Sequence, residues 1–159
     1  MVFVPTPSST LNPSWTNRNK VIGSNINNNS SVLDLGCGHK DLLNYITPKT
    51  YLGLDFNDIA DIVVNFNEDF DLPEGDWDYI VCSGLLEYLV NVPRFIEKIK
   101  GRSKTYILSY WSKNNQLREP ANLPKFSVED FIQETKNNFE VVSNLEWKGH
   151  LIIIAKDFS

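Results

Sequence analysis

The stretch Val32-Leu33-Asp34-Leu35-Gly36-Cys37-Gly38-His39-Lys40-Asp41-Leu42 decides the reading of this chain. Four residues with strand character run into a glycine-cysteine-glycine bend, and a helix start follows. Glycine lets a backbone turn with positive φ and lets a ligand approach it closely, so strand, tight loop and helix N-terminus together form the frame of a nucleotide-type site. Seventeen residues beyond Gly38, the next apolar run, Tyr51 to Leu54, ends at Asp55. A carboxylate at the end of the neighbouring strand can accept hydrogen bonds from both hydroxyls of a ribose, which fits an adenosine-containing cofactor.

Charge narrows that class. In a dinucleotide loop of the form G-x-G-x-x-G the third glycine would fall at Asp41, where an anionic side chain would face the pyrophosphate at the helix N-terminus. Repulsion there speaks against an oxidoreductase that uses NAD or FAD. A cofactor with no phosphate and with a sulfonium and an ammonium, S-adenosyl-L-methionine, is compatible with Asp34 and Asp41 beside the loop.

Working outward, short apolar runs alternate with helical stretches, the signature of βαβ units around a mostly parallel sheet. The runs are Val32 to Leu35, Tyr51 to Leu54, Ile62 to Val64, Tyr79 to Cys82, Tyr106 to Ser109, Phe139 to Val142 and Leu151 to Ala155. Helices are expected over Asp41 to Ile46, Gly84 to Leu89, Val92 to Lys100 and Val128 to Lys136. Ser127 with Asp130 resembles a capping box, and Pro93 near one helix start with Gly101 after its end follows the usual asymmetry. Only Phe56 to Asp61 separates the second run from the third, too few residues for a helical parallel crossover. If Ile62 to Val64 is a strand, it is a short edge strand.

Residues 1–31 are rich in Pro, Ser, Asn and Thr and read as an N-terminal arm, with a short helix around Trp15 to Ile22 that packs over the cofactor site or frays. Residues 32–159 are expected to form a single α/β domain. A net charge of −5 argues against a nucleic-acid partner, since phosphate binding draws on clustered Lys and Arg. Cys37 and Cys82 show neither metal-ligand nor disulfide spacing, which suits a reducing compartment. No apolar run is long enough to span a membrane and no signal peptide is evident, so a soluble, cytoplasmic protein is expected.

The segment from about Val32 to Lys100 resembles the class I S-adenosylmethionine-dependent methyltransferases of the small-molecule, type 11-like kind, whose first motif reads like Leu33-Asp34-Leu35-Gly36-Cys37-Gly38. The resemblance implies a doubly wound, mostly parallel seven-stranded α/β sheet with an antiparallel last strand, from which the short second crossover counted above is a departure. It implies that Asp34, Gly36, Cys37 and Gly38 line the methionine half of the cofactor, that Asp55 binds ribose and that Phe56 contacts adenine. Val64-Asn65-Phe66-Asn67 occupies the place of an acidic residue near the adenine amino group, with Asn65 supplying an amide oxygen beside Phe66. Asp76 to Ser83 resembles the fourth strand, whose end at Ser83 reaches the cofactor. Leu85-Leu86-Glu87-Tyr88-Leu89 is similar to the following helix motif, with Tyr88 in place of a frequent His. Lys40 stands where many members carry a third glycine.

Methyl transfer from a sulfonium is a direct displacement, so alignment and exclusion of water matter more than a dedicated triad. A hydroxyl acceptor would call for a general base, and the candidates are His39, Glu87 and Tyr88. His39 contacts the cofactor carboxylate or faces solvent; Glu87 points into the acceptor cavity or pairs with Arg94 on a surface; Tyr88 orients the acceptor or packs. Tyr110 to Phe126 follows the fifth strand without a clear period. It reads as an acceptor lid with contacts from Tyr110, Trp111 and Arg118, or as a plain surface loop. Both cysteines read as small buried residues and His150 as a turn residue before the last strand. Cys82-Ser83-Gly84-Leu85 differs from the Asn/Asp-Pro-Pro-aromatic sequence of members that methylate nucleic-acid bases or glutamine, which leaves a small-molecule acceptor as the leading class. The alternative is an inactive binding or regulatory subunit on the same fold.

Overall fold

In a computed structural model of the chain, residues 13–111, 124 and 126–159 are described. One sheet organises them, with seven strands: β1 (Ser31–Leu35), β2 (Thr50–Asp55), β3 (Ile62–Val63), β4 (Trp77–Cys82), β5 (Ser103–Trp111), β6 (Glu140–Trp147) and β7 (His150–Lys156). Their order is β3-β2-β1-β4-β5-β7-β6. The first five are parallel, and β7 runs antiparallel to both β5 and β6. This is the doubly wound α/β sheet with an antiparallel last strand that the motif predicts.

The central strands are apolar on both faces because both are covered. Strand alternation sends Leu33, Leu35, Ile80, Cys82, Tyr106, Leu108 and Tyr110 into one core cluster, and Val32, Tyr79, Val81, Ile107 and Ile152 into the other. The first cluster is roofed by α2 (Val92–Ile99) and α3 (Val128–Asn138). In α2 the buried residues Val92, Phe95, Ile96 and Ile99 fall on one stripe at helical spacing. Asn91 caps it by accepting the Arg94 amide, and α3 begins with the full Ser127–Asp130 capping box. The second cluster is covered by α1 (Pro13–Gly23), through Ile22 and the following Ile26.

Several elements depart from expectation. The helices expected over Asp41 to Ile46 and Gly84 to Leu89 are single 3₁₀ turns, Asp41–Asn44 and Leu86–Tyr88. Gly84 has φ +71, which keeps it outside a right-handed helix. The second crossover holds no helix, and β3 is a two-residue edge strand. β5 extends through Tyr110 and Trp111, which correct the expectation of a connection there. His150 opens β7 and is no turn residue. The β6–β7 turn is made one step earlier by Lys148 and Gly149, both at positive φ, so two-residue hairpin geometry fixes the register from Trp147 back to Ser143, beyond which a bulge at Val142 shifts it by one.

Candidate active site

The loop after β1 is held from below. The amides of Gly36 and Cys37 both donate to the Leu54 carbonyl, at 2.8 and 3.1 Å. Gly36 has φ +78, and a Cβ there would stand 2.9 Å from Leu85 Cβ, so only glycine fits the bend. Gly38 differs: its amide donates to Asp55 Oδ2 at 2.7 Å, and no atom lies within 4 Å of where its Cβ would be. The other Asp55 oxygen accepts the Phe56 amide at 2.6 Å, and Asn57 Nδ2 donates to the Gly38 carbonyl at 3.1 Å. Asp55 thus stands beside the bend and open space lies in front of it, with the half-exposed Phe56 ring next along the chain. Lys40 takes the left-handed conformation at φ 59 and its Nζ meets Asp61 Oδ1 at 2.6 Å; Asp61 Oδ2 in turn accepts the Gly53 amide. That ion pair ties the loop to the shortened crossover.

Behind the loop is a buried polar layer on the α1 face. Asp34 accepts a hydrogen bond from Tyr51 Oη at 2.7 Å; burial, aided by Asp55, raises its carboxyl to about 7, against the opposing Tyr51 bond and Arg18 charge. The same burial, with Asp34 beside it, moves the Tyr51 hydroxyl upward. Arg18 of α1 is only 5% exposed. Its Nε donates to Ser83 Oγ at 2.8 Å, and Ser83 donates to Asn19 Oδ1 at 2.7 Å. Asn19 Nδ2 reaches Asp41, which also accepts from Asn44. Burial lowers the Arg18 pKa, opposed by Glu87, Tyr88, Asp34 and Asp41, yet none of the described carboxylates comes within salt-bridge distance of it. The guanidinium lies over Gly84, 2.5 Å from the position a Cβ would take.

The remaining expected residues are distributed around these two features. His39 is half-buried, and its Nε2 is buried without a hydrogen-bond partner. Glu87 does not pair with Arg94, which meets Asp69; its Oε1 accepts the Trp111 amide at 2.8 Å. The Tyr88 carbonyl accepts from Asn67 Nδ2. Asn65 Oδ1 accepts the Asn67 amide at 3.0 Å, and the Phe66 ring packs edge-on against Phe70 and Phe95, at 5.1 and 5.7 Å. Tyr110 is buried, stacks on Phe131 at 5.1 Å and donates to the Phe126 carbonyl, so it belongs to the α3 side of the sheet. Trp111 is 44% exposed and lies on the α1 side. Arg118 lies outside the described residues. Burial pushes both thiols, Cys37 and Cys82, upward, with Asp34 adding to it, so neither is a ready nucleophile.

Two residues were missed in the sequence. Arg18 carried a signal: it precedes Ile22 by four positions and so shares its buried helix face, where a lone cation needs an explanation. His150 became visible only once β7 was known to start at the same end of the sheet as β5 finishes.

Fold, glycine bend, strand-end carboxylate and strand order define a class I methyltransferase-type domain. A family model described as "Methyltransferase domain" matches residues 13–148, and the chain belongs to that family. A search of curated protein sequences returns no match. Among solved structures, the chain is similar to a SAM-dependent methyltransferase from Aquifex aeolicus (TM-score 0.69, 14% identity, 92% of this chain and 94% of that one). It is similar to a putative type 11 methyltransferase from Sulfolobus solfataricus (0.57, 20%, 82% and 85%). It also resembles magnesium protoporphyrin IX methyltransferase from Synechocystis, solved with bound SAM (0.60, 14%, 91% and 80%). At these identities the likeness shows the fold. Among the described residues, no helix is long and apolar enough to cross a membrane.

Proposed function

We propose that the chain transfers a methyl group from S-adenosylmethionine to a small-molecule acceptor by direct displacement. The observation that carries this reading is the Asp55 carboxylate beside the Gly38 amide, with open space where a side chain at Gly38 would stand. The residues present fit the cofactor's groups. Asp55 is set at a strand end to receive ribose hydroxyls, Phe56 offers an exposed ring for adenine, and Asn65 and Phe66 follow β3 near the same end. Gly38 leaves room for the methionine half, and Gly36 and Cys37 shape the bend that presents it. Asp34 supplies a carboxylate for its ammonium.

Arg18 completes the set. A buried guanidinium with no described carboxylate in contact retains much of its desolvation cost until an anion reaches it. A bound α-carboxylate would supply that anion, with Ser83 and Asn19 holding the arginine in place. Bound there, the cofactor supplies a methyl on a positively charged sulfur that is a good leaving group. The chain's own residues orient both reactants and keep water out.

A small acceptor is supported by the net charge of −5 and by Ser83-Gly84-Leu85 after β4. Two free, buried cysteines support a reducing, cytoplasmic setting. The test is a transfer assay with methyl-labelled S-adenosylmethionine and a cell extract fractionated into small molecules, protein and RNA. Label in the small-molecule fraction is expected; label confined to protein or RNA would overturn the acceptor class.

A further inference from the structure

β5 and β7 are antiparallel and pair Trp111 with His150, so the first residue of β7 stands level with the last residue of β5. Ligands of open α/β sheets bind at that end, outside the carboxyl ends of the parallel strands. Alternation places His150 on the same face as Ile152, Ser109 and Trp111, which is the face α1 covers. Ser109 Oγ accepts the Gly84 amide at 2.9 Å, linking β5 to the bend that receives Arg18. His150 is therefore one pleat beyond the polar layer already described, on the side away from Asp55.

His150 is a costly residue in that position. It is 8% exposed and its Nδ1 is buried without a hydrogen-bond partner. A buried polar atom left unpaired by the protein calls for a partner, whether an ordered water, a ligand or a reacting group. The Trp111 ring stacks beside it, centroids 6.4 Å apart and planes 25° apart, and remains 44% exposed. The Glu87 carboxylate holds the Trp111 backbone amide at 2.8 Å, fixing the strand end that carries the ring.

We propose that the ends of β5 and β7 form the acceptor subsite, in which His150 takes the proton of a hydroxyl on a flat aromatic acceptor that rests against Trp111. The inference rests on the cofactor reading above and adds the chemistry of the second substrate. The hydroxyl oxygen forms a bond to the methyl carbon, the carbon–sulfur bond breaks with its electron pair left on sulfur, and the hydroxyl proton passes to the imidazole and then to water. Charge selects hydroxyl over amine. An alkylamine is cationic at neutral pH and would meet a sulfonium, whereas a phenolic hydroxyl is neutral until its proton leaves. Burial first, and Arg18 next, lower the His150 pKa to about 4, so the ring is neutral at neutral pH and a weak base, one that receives the proton as the oxygen–methyl bond forms and the hydroxyl becomes strongly acidic. Among the described residues, the charged group that acts on it is Arg18 from α1, while Glu87 from the turn after β4 engages the backbone of its strand partner Trp111.

The test uses the full chain labelled with ¹⁵N-histidine, saturated with S-adenosylhomocysteine and titrated with phenol; turnover is followed as anisole formed from methyl-labelled S-adenosylmethionine. Phenol is expected to shift the His150 ring resonances saturably. His150→Gln keeps a hydrogen-bond acceptor but no base, so phenol binding should change less than about threefold while kcat falls by about a hundredfold. Trp111→Ala, at an exposed ring, should weaken phenol binding by about tenfold without loss of fold. Absence of a phenol shift with S-adenosylhomocysteine bound overturns the proposal, as does a Gln variant with unchanged kcat. If His150→Gln does not fold, the phenol shift and Trp111→Ala decide it. Failure to bind S-adenosylhomocysteine at all would instead remove the cofactor reading beneath it.

Discussion

Arg18 and Gly84 share one space: a Cβ on Gly84 would stand 2.5 Å from Arg18 Nη2 and 2.8 Å from its Cζ. The glycine after β4 is therefore the floor on which a cation from the N-terminal helix lies. The atoms that would have to move are the far end of a flexible side chain, so the fold can survive a methyl there while the cation cannot stay. Gly84→Ala should displace the guanidinium, weaken S-adenosylmethionine by at least about tenfold and, because φ is +71, cost roughly 1 kcal/mol of stability. Calorimetric titration and denaturant unfolding measure the two effects separately.

Arg18→Met separates binding from stability in the opposite sense. Removing a buried charge that lacks a described carboxylate in contact should leave stability unchanged or raise it by about 1–2 kcal/mol. The same change should weaken the cofactor by about tenfold or more, as expected when a charge-assisted carboxylate contact is lost. Parallel loss of stability and affinity would show that Arg18 serves the fold.

Asp34 makes cofactor binding pH-dependent. Its carboxyl, raised to about 7 by burial, is ionised only above that pH in the free protein, and an ammonium beside it favours the ionised form. Affinity should rise as pH increases from about 6 to about 8, with net proton release on binding near neutrality. The folding sign is the reverse. Between the ordinary carboxyl range and about 7 the folded state binds more protons than the unfolded one, so Asp34 contributes a loss of stability as pH rises through that window. Calorimetry in two buffers of different ionisation heat reads the proton count; Asp34→Asn should abolish its pH dependence.

Ser127→Ala removes the side-chain half of the box at the start of α3, where Ser127 Oγ accepts the Asp130 amide at 3.0 Å. It should cost about 1 kcal/mol. The site lies on the opposite face of the sheet, so cofactor affinity should be unchanged while the denaturation midpoint falls.

The parallel strands were legible because they are buried on both faces and read as continuous apolar runs. Asp55 was legible because its distance from Gly38 is set by one strand-to-strand step. The capping box at Ser127 was readable for the same local reason. What escaped was whatever depends on pairing across the chain. β6 is an edge strand whose side chains are mostly exposed and half of them polar, and only its hairpin with β7 explains why it runs beyond the expected Phe139 to Val142. His150 looked like a turn residue because its partner, Trp111, is thirty-nine residues away in sequence. Arg18 lies in the short helix expected around Trp15 to Ile22, which the structure contains as α1, but only its spacing to Ile22 marks it as facing the buried side. The two 3₁₀ turns were overcalled as helices, since apolar spacing over six residues cannot report how many turns the backbone completes.

The most direct measurement is calorimetric titration of the folded chain with S-adenosylmethionine, beside Asp55→Asn. The geometry predicts saturable binding by the unaltered chain and affinity lower by about tenfold or more in the variant, because a ribose contact to a charged acceptor is lost. A folded protein that takes up no cofactor, or a variant that binds as tightly as the parent, would contradict a grip built on the Gly38 bend and the carboxylate at the end of β2.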